Sequence, residues 1–383
     1  ALVLAMMMTL SLMVTVNAKN VEFDDGESVN EAFIEDLTVL AGMGVIQGMD
    51  DGKFAPTSTV TRAQMAAIVY RLRTGDASAD PEYKDKSNMY AGYGDFKDVK
   101  DTSWYAGYVG YCANAGIIIG DGDGNFRPNS PVTGYEALVM LLRAMGYNQP
   151  NEFTGKDWRQ HAASIATQRG MLAKVDTTSY RGTLMNGAAR EVVAEITFQA
   201  ATKAQVVYTA AFGYQTTGMS GGVLSDKLNP TLGWQYYGLT SDTGIVLGNQ
   251  ATGESNTLVG FNSVTGDEDV NGLPDGKEFI EDGDGNYTYA SVADTNITVP
   301  FDVKTGLDMF GHKAEVWYDG RANNYGYTIN GTTHNVEQGA NKTYAIMDKA
   351  VLSGYVYSED AIMSNDGDAD NSKLGAAAIA AGF

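Results

Sequence analysis

The sequence matches itself at an offset of 72 residues, and this internal repeat constrains the architecture more than any other feature. Residues 44–64 read GVIQGMDDGKFAPTSTVTRAQ and residues 116–136 read GIIIGDGDGNFRPNSPVTGYE, with ten identities over 21 ungapped positions. The identities fall on turn glycines and apolar anchors, among them Gly44/Gly116, Gly48/Gly120, Asp51/Asp123, Gly52/Gly124, Phe54/Phe126, Pro56/Pro128 and Thr61/Thr133. Each unit reads as a helix, a turn and a second helix. In the first helix (residues 32–42 and 104–115) apolar side chains recur at helical spacing, as at Phe33, Leu37 and Leu40. Gly44 and Gly116 are placed to end that helix, and an Asp-Gly turn then brings the Phe back onto it. Thr61 and Thr133 read as N-caps of the second helix, and Gln64 and Glu136, three residues on, complete a capping box. A third, degraded copy covers residues 153–202. Trp158 and Ile165 start its first helix, Gly170 ends it, and Ala189, Arg190 and Glu191 open the second. Three such pairs together bury faces that none could bury alone.

These residues resemble the S-layer homology (SLH) domain: an aromatic-led first helix, a G-(I/V)-I-x-G run, a DGxF-x-P turn and a Thr-Arg-Ala-Glu-like helix start. The resemblance covers residues 21–202, as repeats at 21–75, 94–147 and 153–202 (degenerate), and points to a Gram-positive, clostridial-type bacterium. It implies an all-α, pseudo-threefold trimer of repeats. It also implies non-covalent binding, in grooves between repeats, of a secondary cell-wall polymer that carries pyruvylated sugars. Matched residue by residue, the motif falls on Thr61, Arg62, Ala63 and Gln64 in the first repeat. In the second it reads Thr133, Gly134, Tyr135 and Glu136, without the Arg. In the third it reads Ala189, Arg190, Glu191 and Val192, without the capping Thr. The expected polymer-binding residues are therefore Thr61, Arg62, Gln64, Thr133, Glu136, Arg190 and Glu191. An Arg at a helix start suits an acidic sugar, because guanidinium clasps a carboxylate in two places and the helix terminus adds positive potential. Trp104 and Trp158 are expected as core anchors.

Charge narrows the partners. Forty-seven Asp+Glu against 26 Lys+Arg give a net charge of −21, which repels nucleic acid and anionic lipid alike. One Cys (Cys112) and three His leave no disulfide and no His/Cys metal cluster. A P-loop motif, G-x-x-x-x-G-K-[ST], does not occur. Residues 2–16 form an uncharged apolar run before Val16-Asn17-Ala18, with small residues placed for signal-peptidase cleavage. The run is shorter than the ~20 residues of a membrane span and has neither Met nor a basic segment before it. Residues 1–18 are thus expected to be a truncated signal peptide of a secreted protein.

After residue 202 the texture changes. Residues 203–230 read as a bridge, helical over 203–211 and then a Gly/Ser-rich linker. From 231 to 383, short β-branched and aromatic segments alternate with Asn-Gly and Asp-Gly turns, as in a small β barrel or sandwich. The fold class expected is α + β multidomain. Residues 303–318 resemble β modules that follow SLH repeats in clostridial surface proteins. Residues 267–278, DEDVNGLPDGKE, place Asp267, Asp269, Asn271, the Leu273 carbonyl, Asp275 and Glu278 at the spacing of a calcium loop. Two functional classes follow. In the first, a non-catalytic surface protein is anchored to the wall and assembles with copies of itself in an S-layer-like coat. In the second, the same repeats tether an enzyme such as a glycan hydrolase.

Overall fold

In a computed structural model, the structure describes residues 23–49, 51–76, 89–120, 122–175, 184–220 and 223–248. It also describes 257–261, 279–281, 287–289, 296–300, 305, 309, 312–320, 327–329, 332–334 and 343–349. The chain divides into two units, one comprising residues 21–240 and 319–321, the other the remainder. The architecture is mixed α and β.

The first unit holds the repeats. Their helices are α1 (Ile34–Gly42) and α2 (Arg62–Thr74), α3 (Ala106–Asn114) and α4 (Gly134–Ala144), and α5 (Trp158–Gln168) and α6 (Arg190–Thr202). Both expected capping boxes form: the hydroxyls of Thr61 and Thr133 accept from the N–H of Gln64 and Glu136, whose side chains reach back to the N-cap N–H. Ala189 starts α6 without a side-chain cap. A capping bond of this kind contributes about 1 kcal/mol. Thr133→Ala is therefore expected to lower the unfolding free energy, measured by urea titration of the helical circular-dichroism signal, by about that amount, and Thr133→Ser to restore it. Gly44 and Gly116 take positive φ (77° and 69°) just past α1 and α3, as their placement predicts.

Each second helix packs on the first helix of the next pair: α2 on α3, α4 on α5, and α6 back on α1. The three strand-like segments leading into the second helices close a ring of hydrogen bonds. Val60 N–H donates to the Ala188 carbonyl (3.0 Å), Ala188 N–H to Val132 (2.8 Å) and Val132 N–H to Val60 (2.8 Å). Fully buried side chains fill the interior, among them Leu40, Met43, Met65, Leu72, Leu138, Leu141, Leu142 and Met145.

The segment read as a helical bridge and linker is instead two hairpins, β1–β2 (Val207–Thr209, Gly213–Gln215) and β3–β4 (Thr217–Ser220, Val223–Leu228). The β-branched and aromatic run Val206-Val207-Tyr208-Thr209 outweighs the helical reading. Val206 N–H also donates to the Met145 carbonyl beyond the end of α4. A short helix, α7 (Leu232–Tyr237), follows, capped by Thr231.

The second unit is built on one five-stranded sheet of order β13-β10-β5-β6-β9 (β5 Leu239–Gly248, β6 Thr257–Phe261, β9 Asn296–Pro300, β10 Lys313–Asp319, β13 Thr343–Asp348). Its core gathers Val246, Met309, Ala314, Val316, Tyr318 and Ile346. Two small hairpins accompany it: β7–β8 (Phe279–Glu281, Tyr287–Tyr289) and β11–β12 (Tyr327–Ile329, Thr332–His334). The expected barrel or sandwich is thus, among the described residues, an open sheet with β9 and β13 at its edges.

Candidate functional site

The turn between the helices of a repeat is built the same way twice. Phe54 and Phe126 are fully buried, and each lies against a second ring, Phe23 at 5.4 Å and Phe96 at 5.5 Å. The carboxylate of Asp25 accepts from the N–H of Phe54 (2.7 Å) and of Ala55 (2.8 Å). Asp98 accepts likewise from Phe126 (2.8 Å) and Arg127 (2.7 Å). Ala55 and Arg127 both sit at left-handed φ (56° and 55°), a conformation costly for a residue with Cβ, and the carboxylate forks hold them there. The bonds to Phe54 and Ala55 hold the Asp25 carboxyl below the usual carboxylate range, against a desolvation that pushes it up.

These turns receive an Arg from another repeat. Arg62 Nε donates to the Phe126 carbonyl (2.7 Å), and its guanidinium lies 4.9 Å from the Phe126 ring centroid. Arg190 does the same to Phe54, with Nε to the carbonyl at 2.6 Å and the guanidinium 5.0 Å from the ring, and adds a bond to the Gln47 carbonyl (2.8 Å). At the corresponding start of α4 stands Gly134. Arg62 also pairs with Glu136 Oε1 at 2.7 Å, while Oε2 of the same carboxylate caps Thr133. The Arg62 side chain is 13% exposed, and Arg190 is 7% exposed. Burial lowers the pKa of both guanidinium groups; Glu136 opposes this at Arg62, and Asp25 at Arg190.

The structure therefore brings Thr61, Arg62, Gln64, Thr133 and Glu136 together at one seam between repeats. Arg190 and Glu191 stand at a second seam, where Glu191 Oε2 accepts from Asn30 N–H (2.9 Å). Both Arg residues meet a protein carbonyl and an aromatic face of another repeat, so they clamp neighbouring repeats. Sequence reasoning passed over Asp25, Asp98, Phe23 and Phe96. The signal for them was Phe-x-Asp near the start of the first two repeats, at Phe23-Asp24-Asp25 and Phe96-Lys97-Asp98.

Trp104 departs from its expected place in the core. It is 61% exposed, because it precedes α3, whose buried positions go to Ala106, Val109 and Cys112; it rests against Tyr105 and Tyr108. Trp158 is half-buried, edge-on to Tyr135 and beneath Arg159.

The calcium-loop residues Asp267, Asp269, Asn271, Leu273, Asp275 and Glu278 lie outside the described residues, as does the apolar N-terminal run. Among the described residues, no group of three or more His, Cys, Asp or Glu is placed to hold a metal ion, and no helix is long and apolar enough to cross a membrane.

The sequence profile of the S-layer homology domain matches residues 22–66 and 95–138, which are the two segments that carry the duplicated turn and its Arg seam. These two segments are SLH repeats. The chain is 35% identical over 108 residues (28% of this chain, 10% of the relative) to a middle cell wall protein of Brevibacillus brevis. It is 32% identical over 108 residues (28% and 9%) to a surface layer protein of Brevibacillus choshinensis. It is 30% identical over 167 residues (40% and 14%) to the exoglucanase XynX of Acetivibrio thermocellus. The chain thus spans 9% to 14% of the length of these three relatives. Its SLH repeats and S-layer relatives place it at the cell surface, in the wall of a Gram-positive-type bacterium.

Proposed function

We propose that residues 21–202 are three SLH repeats closed as a pseudo-threefold trimer, and that this body anchors the protein by binding a secondary cell-wall polymer in the grooves between repeats. One observation carries the reading: an Arg clamp recurs at two of the three seams, Arg62 on Phe126 and Arg190 on Phe54, within a closed ring of hydrogen bonds. The ring includes residues 153–202 on the same terms as the matched repeats, which supports a third repeat there. In this reading a pyruvylated, acidic sugar meets the helix starts at Arg62 and Arg190, where guanidinium and terminal N–H groups favour an anion.

The proposed role is non-catalytic. The names of hydrolases among the relatives belong to proteins of which this chain covers 7% to 14%. The β-rich unit takes part in surface assembly with further copies of the chain, and the loop at 267–278 binds calcium; the latter rests on ligand spacing alone.

The test is co-sedimentation of the full chain with Gram-positive wall sacculi, before and after acid extraction of the secondary polymer. Binding is expected to disappear with the polymer and to fall by on the order of tenfold in Arg62→Ala, the loss of one charge-assisted pair. A melting curve alongside separates lost contacts from lost fold. Binding that survives extraction, or that is indifferent to Arg62→Ala in a folded variant, overturns the groove assignment.

A further inference from the structure

A cleft of about 420 Å³ opens in the first unit, away from the Arg seams. It is lined by Tyr70 and Thr74 at the end of α2, Asp76 just beyond it, Met89 and Tyr90 ahead of the second repeat, and Tyr236 on α7. Every one of these residues lies outside the segments that match the SLH profile. The cleft therefore lies where the end of the first repeat meets segments that the SLH profile does not match.

Its walls are fixed by close backbone packing. A Cβ on Gly110 would stand 1.8 Å from the Tyr90 carbonyl oxygen, so the segment bearing Tyr90 lies directly on α3. A Cβ on Gly75 would stand 2.9 Å from the Tyr236 carbonyl oxygen, which sets α7 against the end of α2. Behind the cleft the rings continue as edge-to-face pairs, Tyr90 on Tyr111 at 5.2 Å and Tyr111 on Tyr70 at 5.0 Å. Tyr70 donates its hydroxyl to Asp76 Oδ2 (2.9 Å), and the Asp76 N–H donates to Thr74 Oγ1 (3.2 Å). Burial and this carboxylate hold the Tyr70 phenol protonated. Met89 is 67% exposed at the rim.

The geometry points to a second glycan-binding site, in which a neutral pyranose of a polysaccharide chain stacks on the half-buried Tyr90 and Tyr236, backed by the buried Tyr70, and hydrogen-bonds to Asp76. Three observations select that ligand class. Tyrosine faces offer flat apolar area with a polar rim, which matches the C–H face and hydroxyl edge of a sugar ring. The Asp76 carboxylate accepts hydroxyl hydrogens and repels acidic sugars, so this site and the Arg seams select opposite chemistries. A cationic ligand is disfavoured, because Arg71 already lies over Tyr108 (5.6 Å) and the charge of Arg73 bears on Tyr111. The volume is in the range of small-ligand clefts.

The experiment titrates the full chain by calorimetry with neutral hexasaccharides (cellohexaose, mannohexaose and N-acetylchitohexaose), with hexagalacturonate as the acidic comparator and tetramethylammonium as the cationic one. Binding of at least one neutral hexamer is expected, weakened roughly tenfold in Tyr236→Ala and about threefold in the isosteric Asp76→Asn. Sedimentation of Tyr236→Ala with sacculi should match the wild type, which separates this site from the polymer grooves. No neutral hexamer binding at ~10 mM, well above ordinary ligand affinities, overturns the proposal. So does preference for the acidic or cationic probe, or neutral binding that is unchanged in both variants.

Discussion

Replacing Phe54 or Phe126 with Ala is expected to lower the unfolding free energy of the helical unit by about 3–5 kcal/mol each, the largest effects of any single substitution in the repeats. Each ring is fully buried, so truncation opens a ring-sized void. More than packing is lost, because each Phe is where two repeats meet: its face carries an Arg from another repeat, at 5.0 Å for Phe54 and 4.9 Å for Phe126. The Arg would then cover a cavity while still held by the carbonyl of the truncated residue. Urea unfolding followed by far-ultraviolet circular dichroism measures the effect. A double-mutant cycle of Phe54→Ala with Arg190→Met should show a coupling of about 1 kcal/mol or more, because stacked, largely desolvated partners are not additive. A cost below about 1 kcal/mol for both Phe variants would mean that the turns are ornaments on the helices rather than the joints between them.

The helical unit was legible in the sequence because its local signals and its repeat agree. Thr61/Gln64 and Thr133/Glu136 specify helix starts with side chains alone, and a duplicated pattern is hard to misread. The closure of the ring was not legible. Val60, Val132 and Ala188 look like unremarkable connectors, and only tertiary placement turns their backbone groups into mutual partners. The role of Arg62 and Arg190 was legible by half. A charge at a helix start reads as a ligand for an anion, and no local pattern reveals that a Phe ring and carbonyl some 64 or 136 residues away already engage it.

Two errors share one cause. Trp104 was expected as a core anchor, yet it precedes α3, whose buried positions go to Ala106, Val109 and Cys112. Residues 203–211 were expected to be helical, whereas the β-branched and aromatic run there, tied to the Met145 carbonyl, pairs as a hairpin instead. In both, tertiary contact overrode a reading that was locally reasonable. The tyrosines of the cleft show the converse. Tyr70, Tyr90 and Tyr236 are scattered along the chain and carry no motif, so only folding brings them to one cleft.

Stability is expected to fall as pH rises from about 5 to 8, through one buried carboxyl at the seam that joins the third helix pair to the first. Glu195 on α6 and Asp36 on α1 are both fully buried, and Lys174 reaches both oxygens of Asp36 at 2.9 and 2.7 Å. One ammonium faces two carboxyls. Glu195, which accepts from Gln199 Nε2 (3.2 Å), keeps its proton: desolvation, then the Asp36 carboxylate, push its pKa up to about 8, against the opposing charge of Lys174. In the unfolded chain the same group titrates near its ordinary value of 4.5. Between those two values the folded state holds a proton that the unfolded state has released, so the stability contributed below the unfolded pKa drains away as pH climbs to the folded one. The loss is on the order of 2 kcal/mol by pH 8, after discounting for the partly exposed Lys174. Glu195→Gln isolates this group from the repulsion that builds across the rest of an acidic chain. The amide keeps an acceptor for Gln199 and a permanent donor for Asp36. The variant should match the wild type at pH 5 and exceed it at pH 8. Equal stability at pH 8, or a wild-type advantage there, would mean that Glu195 is ionised in the fold and that Lys174 serves both carboxylates. The same buried carboxyl that lets α6 close on α1 as a neutral group thus makes that seam sensitive to pH between about 5 and 8.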